Sequence, residues 1–157
     1  MVDRFERFSL AIAHISRCWH KLAAEEMNRY GLKGPHATYL LTLSRNPEGL
    51  TAAQIGELNG KDKADVSRMV GIMEEKGLVR REGAAYRAKL FLTAEGEQAA
   101  NYVRRRAAVA VELAGGGIDA AGRETFYAAL ETIADNLRTL SREGLPQQEE
   151  TENKGAK

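Results

Sequence analysis

The run LTAAQIGELNGKDKADVSRMVGIMEEKGLVRREGAAYRAKLFLT, from Leu50 to Thr93, decides the fold, because each of its boundaries has a local cause. Thr51 stands three residues before Gln54, a capping-box spacing in which each side chain satisfies an amide of the other's turn. A short helix is therefore expected from Ala52, with Ile55 and Leu58 on one face. Asn59-Gly60 then turns the chain through positive φ, and Asp62 is placed to cap a second helix. Val66, Met69, Val70 and Met73 recur at helical spacing as the buried side of that helix. Gly77 after Lys76 reads as its left-handed terminator, with Leu78 folding back on the last turn. Lys63, Ala64, Ser67, Arg68 and Gly71 are left facing outward, a small, polar, basic surface.

Val79-Arg80-Arg81 reads as a strand, Glu82-Gly83-Ala84-Ala85 as its turn, and Tyr86 to Leu92 as the return strand. In the return strand Ala88, Leu90 and Leu92 alternate with Arg87, Lys89 and Phe91, so one face can pack on the helices while the other carries charge. Two short helices joined by a tight turn and followed at once by a basic hairpin make a winged helix-turn-helix, whose second helix fits a DNA major groove. Between Lys61 and Phe91 eight Lys or Arg stand against five Asp or Glu, a local excess of +3 in a chain of net charge +1. That excess is modest and does not by itself establish nucleic-acid binding.

The runs Asp65-Val66-Ser67-Arg68-Met69-Val70, Met73 to Arg81 and Arg87 to Gly96 resemble the multiple-antibiotic-resistance-regulator (MarR) family. The resemblance extends in order of elements over about residues 3 to 142, with motif-level specificity from Leu50 to Gly96. It implies a dimeric winged-helix transcription regulator, many relatives of which release DNA on sensing a ligand, metal or oxidant. It further implies that Ser67 and Arg68 lie in the groove-facing helix and Arg87 near the wing tip. The chain departs from the family at the wing. An Asp-Arg-Arg type motif follows a Pro- and Asp-containing turn in relatives, whereas Ala85-Tyr86-Arg87 stands here on a shorter, Ala-rich turn, without the aspartate that would orient the arginine. Arg87 is accordingly expected to act as a positive charge rather than as a sequence reader.

The expected fold is mostly α with a small β-hairpin wing, a winged helix-turn-helix flanked by N- and C-terminal dimerisation helices. A chain of 157 residues is one domain's worth. The division expected is one winged-helix domain over 1–142, its DNA-binding part at about 36–93 and its dimerisation helices at about 3–30 and 94–142. Residues 143–157 are polar and are expected to form a disordered tail. No apolar run approaches the roughly 20 residues of a membrane span. Charges at Asp3, Arg4, Glu6 and Arg7 interrupt any leader, so the cytoplasm is the expected compartment.

Phe5, Phe8, Ile12, Ile15, Trp19 and Leu22 alternate steps of three and four along the first helix. Phe126, Leu130, Ile133, Leu137 and Leu140 do the same near the other end. Two narrow seams are what paired helices of two chains would share, and Phe5, Phe8, Ile12, Ile15, Phe126, Ile133, Leu137 and Leu140 are the residues expected to dimerise. Periodicity alone leaves open that the two termini pack on each other within a monomer. Gly31 to Pro35 breaks the first helix, and Pro35 can start a second that runs to about Ser44. Thr93 can cap a long helix to Ala114, Gly115-Gly116-Gly117 ends it, and Asp119 can cap the last.

No Gly-rich phosphate loop, nucleophile elbow or zinc-finger cysteine pattern is present, so neither catalysis, a metal nor a cofactor is expected. His14 and His20 stand six apart, on nearly opposite helix faces, and Glu25, Glu26 and His36 could meet on a metal only through tertiary folding. Cys18, the single cysteine, is expected as a small buried residue beside Trp19; a sensor role would need exposure and nearby cations such as Arg17 or Lys21. Arg104, Arg105 and Arg106 spread around a helix and are expected to be solvated or paired with acids.

The DNA-binding set expected is Thr51, Lys61, Lys63, Ala64, Ser67, Arg68, Arg81, Arg87 and Lys89. Trp19, Tyr30, His36 and Tyr39 are candidates to line a small-molecule effector cleft, or else are core and hinge contacts. The partners expected are a double-stranded DNA operator of roughly palindromic sequence, a second copy of the chain, and a small-molecule effector. The rival function is a winged-helix module that binds protein and no DNA. The polar, basic residues on the outward helix face speak against it.

Overall fold

The computed structural model describes residues 3–84 and 87–146. Ala85 and Tyr86, in the expected wing turn, lie outside the described residues, as do positions 147–157 of the expected tail. The elements in chain order are α1 (Arg4–Asn28), α2 (His36–Ser44), β1 (Leu50–Thr51), α3 (Ala52–Asn59), α4 (Lys63–Glu75), β2 (Val79–Glu82), β3 (Lys89–Leu92), α5 (Ala94–Ala114) and α6 (Ala120–Glu143). The architecture is mostly helical with a small antiparallel sheet. The chain forms two compact units, Met1–Val111 and Glu112–Lys157, with the boundary inside α5.

In the first unit, the local signals are met by the bonds they call for. Thr51 and Gln54 make a reciprocal capping box at the start of α3, and Gly60 ends that helix at φ +62°. The Asp62 carboxylate accepts the Asp65 amide at 2.8 Å to open α4, and Gly77 stops it at φ +71°. Thr93 does two things at once: its hydroxyl donates to the Gly77 carbonyl at 2.6 Å and accepts the Gly96 amide at 3.1 Å. It thereby opens α5 and ties its first turn to the root of the wing.

The sheet holds a finding that sequence patterning did not give. Leu50 and Thr51 form a strand, β1, which pairs antiparallel with β3, so the order is β1-β3-β2 and the wing is part of a three-stranded sheet. The return strand is shorter than expected. It begins at Lys89, because Arg87 and Ala88 are still completing the turn. The register places Leu90 opposite both Leu50 and Arg81, and Lys89 opposite Thr51 and Glu82. Leu90 is fully buried and Lys89 exposed, as strand alternation requires.

The core of this unit gathers Met27 from α1, Tyr39, Leu40 and Leu43 from α2, and Ile55 from α3. Val66, Met69, Val70 and Met73 of α4, Leu90 of β3, and Ala99, Ala100 and Val103 of α5 complete it. Each large side chain among them contributes about 1.5–3 kcal/mol of burial. Helix α1 reaches this core only through its last turns, since Met27 is its one buried residue. There Glu26 accepts bonds from Tyr102 and Arg106 of α5, and Arg29 lies 4.8 Å over the Tyr102 ring. The Arg106 guanidinium first, then the Tyr102 hydroxyl, hold the Glu26 carboxyl below its ordinary range.

In the second unit the Asp119 carboxylate accepts the Gly122 amide at 2.7 Å and opens α6. Arg123 bonds Glu112 at 2.7 Å and the Ile118 carbonyl at 3.1 Å, which closes the glycine turn. Helix α6 has no buried residue; Phe126, Ile133 and Leu137 are exposed and Leu140 is half-buried. No helix of the described residues is long and apolar enough to cross a membrane.

Candidate nucleic-acid interface

The candidate interface is built by three elements, each fixed by its own packing. Helix α4 buries Val66, Met69, Val70 and Met73, which turns Lys63, Ala64, Ser67 and Arg68 to the outside, all four of them exposed. Helix α3 is seated tightly beneath the connecting turn. A Cβ added at Gly56 would come 2.8 Å from the Lys61 carbonyl oxygen, so Lys61 and the entry to α4 are held close to α3. Asn59 at the end of α3 bonds back to the Ile55 carbonyl at 2.9 Å and accepts from Thr42 of α2 at 3.2 Å.

The charged side chains expected at DNA differ in how they are held. Arg68 pairs with Asp65 one turn back on α4. Lys61 and Lys63 are exposed at the head of α4. Thr51 is half-buried and committed to the α3 cap. Arg81 reaches from β2 to Glu74 of α4 through Nε and Nη2 at 3.0 and 3.1 Å, a two-pronged bond that anchors the wing to the helix. The Lys89 ammonium donates to the Glu48 carbonyl at 3.2 Å, and Arg87 is exposed where the described part of the wing resumes. Arg80, absent from the expected set, pairs with Glu82 and lies 4.6 Å over the Phe91 ring. Neither the Glu74–Arg81 clamp nor the Arg80–Phe91 stack has a local sequence signal, since both depend on the register of the sheet.

The four residues suggested for an effector cleft are not brought together around an opening. Trp19 is exposed on α1, Tyr30 packs edge-on against Tyr102 at 5.7 Å, and His36 and Tyr39 are fully buried. An aromatic on a short helix satisfies the same pattern in a core as in a cleft. Cys18 is exposed rather than buried, with its Sγ 3.7 Å from His14 Nε2, because nothing from Ala11 to His20 is covered within this chain. That pairing was readable from the i, i+4 spacing of the two residues. Among the described residues there is no cluster of three or more His, Cys, Asp or Glu placed to hold a metal.

His36 opens α2 in the core. Its Nδ1 accepts the Lys33 amide at 3.0 Å, while Nε2, buried toward Met69 of α4, has no partner of good hydrogen-bond geometry. Burial pushes its pKa below the ordinary 6.5, against smaller raising effects from the Lys33 and Met69 backbone and from Asp65. The unfolded chain takes up a proton as pH falls through 6.5 and the folded chain does not, so this contribution to stability is complete above 6.5 and erodes below it. Thermal melts should therefore show stability falling from pH 6.5 toward 5, above the range where carboxylates dominate. His36→Gln, which keeps an acceptor for Lys33, should flatten that slope. An equal slope in the variant would assign it to other groups.

Comparison with known proteins agrees with this geometry. Residues 30–87 match the model of the MarR family. The chain superposes on a MarR transcriptional regulator from Methanosarcina mazei Go1 with a TM-score of 0.79 at 20% identity, covering 89% of this chain and 94% of that one. A MarR-family regulator from Silicibacter pomeroyi gives 0.72 at 21% identity over 86% and 92%. A MarR-family regulator from Listeria monocytogenes, solved with a 26mer DNA, gives 0.75 at 20% identity over 94% and 99%. Proteins of curated function gave no match. The fold is that of the MarR-type winged helix.

Proposed function

We propose that this chain, with its MarR-type winged helix, is a cytoplasmic transcription regulator that binds a pseudo-palindromic operator as a homodimer and represses from it. The observation that carries the reading is the outward face of α4, where Lys63, Ala64, Ser67 and Arg68 stand exposed on a helix anchored from behind. Small residues there let the helix lie close to base edges, and Arg68 is the long side chain able to make a two-pronged contact to a guanine. Lys61 at the head of α4 and Lys89 and Arg87 on the wing supply charge toward flanking phosphates. That a Listeria regulator of the same fold was solved with a 26mer DNA supports the reading of this fold as DNA-binding.

Homodimerisation is supported by the apolar stripe of α1. Phe5, Phe8, Ile12, Ile15, Trp19 and Leu22 are 40 to 73% exposed within one chain, in the heptad-like steps of a paired helix. Phe126, Ile133 and Leu137 of α6 repeat the pattern. Two-fold pairing would present two copies of α4 to two half-sites, which is why a palindromic operator is part of the reading. The MarR resemblance extends it to release of DNA by a small effector.

Arg68→Ala tests the site. With duplexes selected from a random-sequence pool by the wild-type protein, the variant is expected to lose about 1–3 kcal/mol of specific binding in fluorescence anisotropy, with its thermal unfolding unchanged. Equal affinity would remove Arg68 from the interface. Failure of the wild type to enrich any duplex would favour the protein-binding reading of the fold.

A further inference from the structure

Tyr39 is the large polar side chain of the core that the packing alone does not explain. It is 1% exposed, its ring lies in the apolar cluster, and its hydroxyl makes no hydrogen bond of good geometry. Phenylalanine would fill the same space without desolvating a hydroxyl. The Asp65 carboxylate in the first turn of α4 is the acceptor within reach of the hydroxyl, with Asp62 and Arg68 nearby. Burial first, and then the Asp65 and Asp62 carboxylates, push the phenol's pKa up, which keeps it a proton donor.

Asp65 is shared between this hydroxyl and Arg68. Its side chain is 24% exposed, its carboxylate holds Arg68, and Arg68 itself is 67% exposed on the face proposed to meet DNA. In the free protein the arginine compensates the carboxylate. When the guanidinium swings to a phosphate or a guanine edge, a half-buried carboxylate is left without its partner, and that loss opposes binding. A carboxylate accepts several hydrogen bonds, so a donor already waiting on its inner side removes the penalty.

We propose that Tyr39 is a positioning residue of the recognition helix: its hydroxyl donates to the Asp65 carboxylate as DNA takes Arg68, so that the arginine is handed over without leaving Asp65 unpaired. This rests on the reading of α4 as the DNA-contacting helix. It assigns a task to the buried hydroxyl and makes Asp65 the switch point between an inner and an outer partner.

The test is Tyr39→Phe on a duplex selected from a random-sequence pool by the wild type, read by fluorescence anisotropy beside thermal unfolding. The variant is expected to melt at the wild-type temperature or above, since the hydroxyl it loses makes no well-formed bond in the free fold. Its affinity for the selected duplex should fall threefold to tenfold, one hydrogen bond's worth. In an Arg68→Ala background, measured at lower salt where binding persists, the same change should have no effect, because no arginine leaves Asp65. Equal affinity of Tyr39→Phe and wild type would overturn the proposal while leaving DNA binding intact. So would an undiminished loss in the Arg68→Ala background, or a loss matched by a lower melting temperature, which would mark Tyr39 as structural. A wild type that binds no duplex would overturn the proposal and the functional reading together.

Discussion

Ile15→Asp is expected to halve the mass of the particle in sedimentation, from twice the 17.3 kDa of one chain to that value. Ile15 is 56% exposed in the single chain and touches none of its core, so an aspartate there leaves the fold of one subunit unburdened. In a paired seam the same position carries one carboxylate from each copy into an apolar contact. Each costs about 3 kcal/mol or more to desolvate without a partner, and the two repel each other. Loss of the dimer should also reduce operator affinity far below that of the intact protein, since each half-site would then be bound alone. A wild type that already sediments at the single-chain mass at micromolar concentration would remove the dimer from the reading.

Gly96→Ala is expected to cost about 3 kcal/mol or more of folding stability, against the sign that helix propensity gives. Within a helix, replacing Gly by Ala ordinarily gains about 0.5–1 kcal/mol. At this site an added Cβ would stand 2.0 Å from the Leu78 carbonyl oxygen and 3.0 Å from its carbon, both backbone atoms with no side-chain freedom to yield. Leu78 is also held by Thr93, whose amide donates to that carbonyl at 3.0 Å, so relief of the clash must move the start of α5 or the root of the wing. Gly71 in α4 is the internal contrast. No neighbouring heavy atom lies within 4 Å of a Cβ placed there, and Gly71→Ala should stabilise by the propensity gain alone. Urea titrations of the two variants decide it: if Gly96→Ala is as stable as Gly71→Ala, the close approach of α5 to Leu78 is not a feature of the folded protein.

Features that depend on residues three or four apart were legible in the sequence. The Thr51–Gln54 box, the Asp62 and Asp119 caps and the Gly77 terminator all act within a single turn, and each is made as its spacing demands. What escaped reading depends on partners far apart in the chain. Leu50 becomes a strand only because Leu90 passes beside it, and Arg81 is claimed by Glu74 only once β2 has been laid along the end of α4. The buried pair His36 and Tyr39 shows the same limit in the core. Both residue types suit a ligand cleft, and only the packing of α2 against α3 and β3 decides that they lie inside. Cys18 failed the other way: a small residue beside a tryptophan reads as core, yet the whole middle of α1 stands uncovered in one chain.

The placement of β3 between β1 and β2 divides the wing into a root that resists change and a tip that tolerates it. One residue gained or lost between Lys89 and Leu92 would turn Leu90 to solvent and Lys89 to the core, and would break two ladders at once. Among the described residues Gly83, Ala84, Arg87 and Ala88 belong to neither ladder, so a change there leaves both registers in place. An insertion or deletion is therefore expected to be tolerated at the tip and not at the root.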